Sequence, residues 1–289
     1  MSSPLRRTTR AAVAVLGGLA ALASLVACTD DAGDPSPDTP ATTSATPSAA
    51  PTPTPPPRAE PVVVPPASAC YRLTYRQAVS PTNGEDAVPC RGPHTSQTYA
   101  VGRLDNVVAG HLLAVDSARV QGAVARDCPA ALGRVVGGTT EDLRLSMLRS
   151  VWFTPSLEQS GKGADWYRCD VVVLAGAEDL LSVSGSLEGV LDTDEGRDRY
   201  GMCGTAGPGA RDFERVPCSA RHTWRAFSVV DLGTGRYPGP GAVDSTGSGC
   251  ETAAAEVADD PLDYEWAYEG PDADEWAAGQ TFVRCWAPD

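Results

Sequence analysis

Basic residues are few in this chain of 289 residues, which has 23 lysines and arginines against 37 aspartates and glutamates and a formal net charge of −14. It also has no isoleucine, one lysine and three histidines. Arg6, Arg7 and Arg10 precede a segment that we expect to be removed, and without these three positive charges the net charge becomes −17. So acidic a surface repels phosphate backbones, which excludes nucleic acid as a partner.

The apolar run from Ala11 to Ala27 has 17 residues, fewer than the about 20 that usually cross a bilayer. A basic front before it and a small residue before Cys28 are typical of a bacterial lipoprotein signal peptide. We expect residues 1–27 to be removed and Cys28 to be the lipid attachment site, with acyl chains such as palmitate. Two or more chains, at about 0.8 kcal/mol per buried methylene, anchor a protein stably. The predicted localisation is the cell membrane, lipid-anchored on the extracytoplasmic face; a retained membrane anchor is the alternative.

Residues 28–69 contain 12 of the 25 prolines and no aromatic residue. A Pro/Ala/Thr/Ser-rich stretch buries too little apolar surface to offset its ordering entropy, which predicts a disordered linker. In the polyproline II conformation, at about 3.1 Å per residue, it would reach on the order of 120 Å. We interpret it as a spacer that carries the folded part away from the membrane; a proline-rich docking ligand is the alternative.

The eight cysteines after Cys28 fall into two sets of four with similar spacing: Cys70, Cys90, Cys128 and Cys169, then Cys203, Cys218, Cys250 and Cys285. Val-Pro-Cys followed by His-Thr occurs in both sets at a constant offset of 128 residues, ending at His94-Thr95 and His222-Thr223. With short deletions, the register continues to the last cysteine of each set. The chain is therefore predicted to hold two homologous domains, repeat 1 at residues 70–187 and repeat 2 at residues 188–289.

The predicted fold class is α+β, with two homologous small disulfide-stapled domains after a signal peptide and a Pro-rich linker. Alternating residues predict strands after each His-Thr pair, at 97–104 and 224–232. Apolar residues from Val120 to Val135 recur at helical spacing, with Asp116 or Ser117 placed to cap the helix and Pro129 placed to kink it. Further strands are predicted at 150–153 and 166–174. The segment 180–191 has no counterpart in repeat 2 and is expected to pack between the domains.

An even number of cysteines in an exported chain predicts structural disulfides. No two of them are closer than 15 positions, whereas zinc ligands and redox pairs stand within a few residues of each other, so no metal site is predicted. Three pairings are possible in each repeat. The favoured one joins the first cysteine to the second and the third to the fourth, because the first two lie on neighbouring strands and the helix must cross the last strand.

Together, the Val-Pro-Cys-x-x-x-His motif, the aromatic strand after it, the helix cysteine and the closing Pro-to-Arg-Cys block resemble the actinobacterial septum-formation domain family. The resemblance covers both repeats. It implies a cell-envelope protein, often membrane-anchored, in a setting near division, and it specifies no chemical activity. That family often has a Glu three residues after the histidine, where this chain has Gln97 and Arg225. A role that needs a His/Glu pair is therefore not expected for either repeat.

No Gly-x-Ser-x-Gly motif and no spare cysteine accompany the matched histidines, so no catalytic residue, no cofactor and no enzymatic activity are predicted. We expect His94 to be bonded to the hairpin backbone. His222, Trp224 and Arg225 are the candidate binding residues, since Trp and Arg favour interfaces. Three tryptophans, Trp224, Trp276 and Trp286, have no aromatic counterpart in repeat 1, and both a binding surface and core packing remain open for them.

The predicted function is a non-enzymatic binding or scaffolding module of the cell envelope. Its predicted partners are the membrane, through the lipid anchor, and an envelope protein or wall glycan. Two alternatives stay open: a cell-wall-directed enzyme that uses His94 or His222 with distant carboxylates, and a passive acidic spacer protein.

Overall fold

Two antiparallel sheets dominate this computed structural model, which describes residues 61–258, 260 and 262–289. The predicted signal peptide, the lipid attachment site Cys28 and the linker up to residue 60 lie outside the described residues. Within the described chain, no helix has both the length and the apolar character needed to cross a membrane.

The first half of the described chain contains six strands and four short or medium helices. In chain order they are β1 (Cys70–Tyr71), α1 (Tyr75–Ala78), β2 (Ser96–Arg103), β3 (Val107–Val108), β4 (His111–Leu112), α2 (Ala118–Val136), α3 (Thr140–Arg144), β5 (Leu148–Phe153), α4 (Leu157–Gly161) and β6 (Trp166–Val173). The second half begins with a 3₁₀ turn at Val190–Asp192. It continues with α5 (Asp194–Tyr200), β7 (Met202–Gly204), β8 (Arg215–Pro217), β9 (Trp224–Asp231), α6 (Pro240–Gly247), α7 (Gly249–Val257), β10 (Ala267–Glu269), α8 (Ala273–Ala277) and β11 (Phe282–Pro288).

The two sheets share one strand order. Sheet 1 runs β1-β2-β6-β5, and sheet 2 runs β7-β9-β11-β10 with β8 added beside β7. Equivalent residues even keep equivalent partners across the central pair, because Ser96 pairs with Val172 in sheet 1 and Trp224 pairs with Pro288 in sheet 2. The mixture of helices with antiparallel sheets confirms the predicted α+β class.

All eight cysteines of the described residues form disulfides in the favoured pairing. The bonds are Cys70–Cys90, Cys128–Cys169, Cys203–Cys218 and Cys250–Cys285. In each repeat, the second bond joins a helix to the strand that comes last along the chain: α2 to β6 in repeat 1, and α7 to β11 in repeat 2. The predicted structural disulfides are therefore confirmed.

Helix α2 buries Val120, Val124, Cys128 and Leu132 of the predicted stripe, but its last buried residue is Val136 and not Val135, which is half-buried. The helix runs through Pro129 and ends at Val136, followed by Gly137 at a positive φ of 76°. Ser117 does occupy the N-cap position, but its hydroxyl makes no capping hydrogen bond and is buried without a partner. Ser117 is thus the N-cap residue, as predicted, but its side chain does not form a capping hydrogen bond.

One hydrophobic core joins the two repeats. Its buried members come from α2, both sheets and the chain between them: Leu132, Val136, Met147, Leu148, Val171, Val173, Val183, Leu187, Leu191, Tyr200, Met202, Ala226 and Trp286. Leu187 and Leu191 are each 1% exposed. They belong to the segment 180–191, so its expected place between the repeats is confirmed.

Candidate functional site

The two matched histidines make the same local contact. Nδ1 of His94 lies 2.9 Å from the carbonyl oxygen of Gly92, and Nδ1 of His222 lies 2.7 Å from that of Ala220. A carbonyl oxygen only accepts, so Nδ1 carries a proton in both rings. The predicted bond between this histidine and the hairpin backbone is therefore present in each repeat.

In repeat 1 the segment after β6 covers the Val-Pro-Cys-x-x-x-His motif. His94 is 0% exposed, and its backbone pairs with Val183 in both directions, at 2.9 and 2.8 Å. Gly185 donates to the carbonyl of Cys90, and the backbone of Leu187 donates to the Gln97 side chain at 2.8 Å. The His94 Nε2 is buried without a hydrogen-bond partner in the described structure. His94 therefore packs the interior and is closed to a substrate.

In repeat 2 the motif reaches the surface. Nε2 of His222 lies 2.9 Å from Oδ2 of Asp289, and Arg225 approaches the same oxygen at 4.0 Å while donating to Asp198 at 2.7 Å. The side chains of His222 and Arg225 are 20% and 33% exposed. The His222 ring thus lies between the carbonyl oxygen of Ala220 and the carboxylate of Asp289. We name His222, Arg225, Asp289 and Asp198 the His222 corner.

An open cavity of about 480 Å³ adjoins the His222 corner. Arg225 and Asp289 form part of its wall. The remaining lining combines apolar residues with three carboxylates: Phe227, Ala254, Val257, Ala258, Asp260, Asp263, Tyr264, Glu265, Ala287 and Pro288. This volume lies in the range of sites that take a small ligand or the side chains of a partner.

The tryptophans without counterparts serve packing more than recognition. Trp286 is 0% exposed and Trp276 is 9% exposed, with the Trp276 indole donating to the carbonyl of Gly235 at 3.0 Å. The core-packing interpretation therefore holds for both. Trp224 is half-buried against the shared core, and its ring lies so close to Gly207 that a Cβ there would stand 3.0 Å away. The structure thus brings His222 and Arg225 together with Asp289, while the Trp224 ring is directed at the protein.

Cys203, His222 and Asp289 also place one potential metal-ligand atom each within 4.8 Å of one another. Cys203 is bonded to Cys218 and is no thiolate, and a thiolate is the form that binds metal. Only the imidazole and the carboxylate remain, and they bond to each other. Zinc sites use at least three protein ligands, so this group does not make one.

Four arginines that the sequence analysis did not single out for a site gather where the repeats meet. Arg144, Arg149, Arg215 and Arg284 line a groove of about 480 Å³ between α2, β5 and the sheet of repeat 2. The sequence signal was limited to Arg284, which matches Arg168 in the closing Arg-Cys block. The other three come together only through the contact between repeats. We name this cavity the inter-repeat groove.

The family model described as septum formation matches residues 114–285, more than half of the chain. The match begins just before α2 and ends at Cys285, so a single match runs through β5 and β6 of sheet 1 and continues through sheet 2 as far as Cys285. Neither the curated proteins nor the solved structures contain a match to this chain.

Proposed function

The chain belongs to the septum-formation family, which gives it a septum-related role, and from that premise we propose that it is a non-enzymatic binding or scaffolding module. We place it on the extracytoplasmic face of the cell membrane, held by lipids on Cys28, with an envelope protein or wall glycan as its partner. The observation that carries the proposal is the divergence of one motif: it is sealed around His94 and open around His222.

The position three residues after each histidine supports a binding role for repeat 2. In repeat 1 it is Gln97, which the backbone of Leu187 and the hydroxyl of Ser186 engage. In repeat 2 it is Arg225, a charged and partly exposed residue at the edge of a cavity. Arginine is enriched where binding energy is concentrated. The two copies of the motif thus share the histidine contact with the backbone. They differ three residues later, where repeat 1 has an internal contact and repeat 2 has a surface charge.

The bonding of His222 favours binding over catalysis. A general base needs a ring nitrogen free to take a proton, and a nucleophile within hydrogen-bond reach. Both ring nitrogens of His222 are engaged, by Ala220 and Asp289, and the nearest sulfur is locked in a disulfide. The contact between His222 and Asp289 therefore fits a structural role better than a role as two members of a catalytic triad.

The anchor is tested by Cys28→Ser. We expect the parent chain in the membrane fraction with a hydrophobic mass addition on Cys28, and the variant as an uncleaved precursor or in the medium. A variant found cleaved and membrane-bound like the parent, or a parent whose N-terminus is unmodified and begins elsewhere, contradicts the lipid anchor.

The binding role is tested in cells whose septum formation depends on this chain. Arg225→Gln removes the exposed charge of the His222 corner, and Arg103→Gln removes a charge that is 79% exposed on sheet 1. We expect septum defects with Arg225→Gln and normal septa with Arg103→Gln, at equal protein levels and equal melting temperatures. Normal septa with both variants would remove the His222 corner from the proposal.

A further inference from the structure

The inter-repeat groove is a second candidate site, since it shares no lining residue with the cavity at the His222 corner. It continues into a neighbouring cavity of about 470 Å³, and Arg149 and Arg215 line both. Each volume falls within the range of pockets that hold small ligands. The two cavities therefore meet at Arg149 and Arg215.

Arg149 is the arginine with unused hydrogen-bonding capacity. Its Nη1 donates to the backbone carbonyls of Ser146 and Leu148, at 2.9 and 2.7 Å. Among the described residues, its Nε and Nη2 make no hydrogen bond, and neither atom is sealed from solvent. These two atoms form the edge of a guanidinium that pairs bidentately with a carboxylate.

In the part of the chain that the structure describes, Arg149 forms no ion pair with the carboxylates near it, although its two neighbouring arginines do. Arg215 and Arg284 share Glu269, and Arg215 also lies 3.6 Å from Glu275. Both carboxylates are therefore engaged by Arg215 and Arg284, and neither pairs with Arg149.

The other charged residues of the lining have contacts of their own. Arg144 pairs with Asp231 at 2.7 Å, and Glu214 of the neighbouring cavity accepts from the backbone of Ala177 at 3.4 Å. Burial and the nearby Arg284 and Arg215 lower the pKa of Arg149 to about 9, although Glu269 raises it. A bound anion would relieve that repulsion.

One wall of the groove is apolar. Trp152 is its partly exposed apolar residue, whereas Leu132 and Phe282 are 4% and 6% exposed. The guanidinium groups of Arg144 and Arg284 lie over the Phe282 ring, at 4.5 and 5.0 Å. An apolar side chain would bury its surface there. A ligand that combines one carboxylate with an apolar neighbour therefore matches the groove, whereas the second negative charge of a phosphate dianion would face Glu269 and Glu275.

We propose that the inter-repeat groove binds the terminal carboxylate of a short peptide. Arg149 pairs with the carboxylate through Nε and Nη2, and the residue before the terminus packs on Trp152. The preceding residues of the peptide extend toward the neighbouring cavity, which shares Arg149 and Arg215 with the groove. The assignment is independent of the His222 corner, since a carboxylate site in the groove can exist whether or not that corner binds a partner.

Calorimetric titration of the full chain tests the proposal with a matched pair of probes, N-acetyl-Ala-Leu-Ala and its C-terminal amide. They differ only in the charge that Arg149 would bind. We expect the acid to bind at least about tenfold more tightly than the amide, as loss of a charge-assisted bidentate pair implies. Arg149→Gln should reduce the acid to the level of the amide, while Arg103→Gln should bind like the parent.

Two further measurements, on Arg149→Lys and with inorganic phosphate, make the test decisive. Arg149→Lys retains the charge without the planar fork and should lose several-fold in affinity, which serves if Arg149→Gln does not fold. Inorganic phosphate should bind more weakly than the acid. Equal binding of acid and amide, no binding of the acid up to roughly 10 mM, tighter binding of phosphate, or parental binding by folded Arg149→Gln would each overturn the proposal.

Discussion

His222 Nε2 lies 2.9 Å from Asp289 Oδ2 on the surface of repeat 2, whereas the matching atom of His94 is buried without a partner. The same motif therefore contributes differently to stability in the two repeats. His94 loses all solvent contact on folding, and His222 keeps a fifth of its side chain exposed.

This difference predicts unequal costs for the two alanine variants. His94→Ala removes a fully buried ring and should lower the free energy of unfolding by about 2 to 4 kcal/mol, since it leaves a cavity. His222→Ala removes a partly exposed hydrogen bond to Asp289 and should cost under about 1 kcal/mol. Urea unfolding of both variants measures the two costs. Equal costs, or a larger cost at His222, would contradict the distinction between a sealed and an open motif.

Asp170 is the buried charge on which sheet 1 depends. It accepts from Ser96 and Thr98 at 2.7 and 2.8 Å and lies 3.0 Å from Nε of Arg168. Asp170→Ala leaves Arg168 buried without its counter-charge and should cost about 3 to 5 kcal/mol. Asp165→Ala, which breaks an exposed pair on the same sheet, should cost at most about 1 kcal/mol. Urea unfolding that gives similar losses for the two variants would refute this account of Asp170.

Tyr99 predicts a pH dependence at alkaline pH. Burial raises its pKa to about 12, and its hydroxyl donates to the carbonyl of Cys128 at 2.6 Å. Because the folded pKa lies above the unfolded value of about 10, this stabilisation is present below pH 10 and is lost as the pH rises toward 12. The stability difference between the parent and Tyr99→Phe should therefore shrink by about 1 kcal/mol between pH 10 and 11. Urea unfolding at pH 8, 10 and 11 checks this, and a constant difference would contradict it.

The disulfides predict both a chemical and a thermodynamic result. A digest of the unreduced protein should yield Cys128 linked to Cys169 and Cys203 linked to Cys218, and a bond between repeats would contradict the structure. Those bonds close loops of 41 and 15 residues, so replacing each pair by alanines should cost about 4 and about 3 kcal/mol on chain entropy. Denaturant unfolding of the two double variants measures these costs.

Much of the fold could be predicted from the sequence because each pattern occurs twice, once in each repeat. The positions of the cysteines limited the pairing, and the alternation after each His-Thr pair located β2 and β9. The stripe from Val120 to Val135 identified α2. These are local patterns, in which spacing along the chain decides which residues share a face.

Other features depend on contacts between distant segments, which spacing does not encode. The sealing of His94 requires the segment around Val183 to return across sheet 1. The inter-repeat groove requires Arg149 of β5 to meet Arg215 and Arg284 from the second sheet. Ser117 occupies the predicted cap position, but its hydroxyl is buried away from the helix amides. Such contacts follow from how the two repeats pack on their shared core.

Photo-crosslinking in growing cells is the most direct test that the chain is a binding module acting through the His222 corner. A photoreactive residue replaces Arg221, which is exposed beside His222, and a matched control replaces Pro93, the exposed residue at the same position of repeat 1. We predict a discrete adduct from position 221 that weakens with Arg225→Gln, and none from position 93. Equal adducts from both positions, or none from position 221 in cells that form septa, would contradict the account.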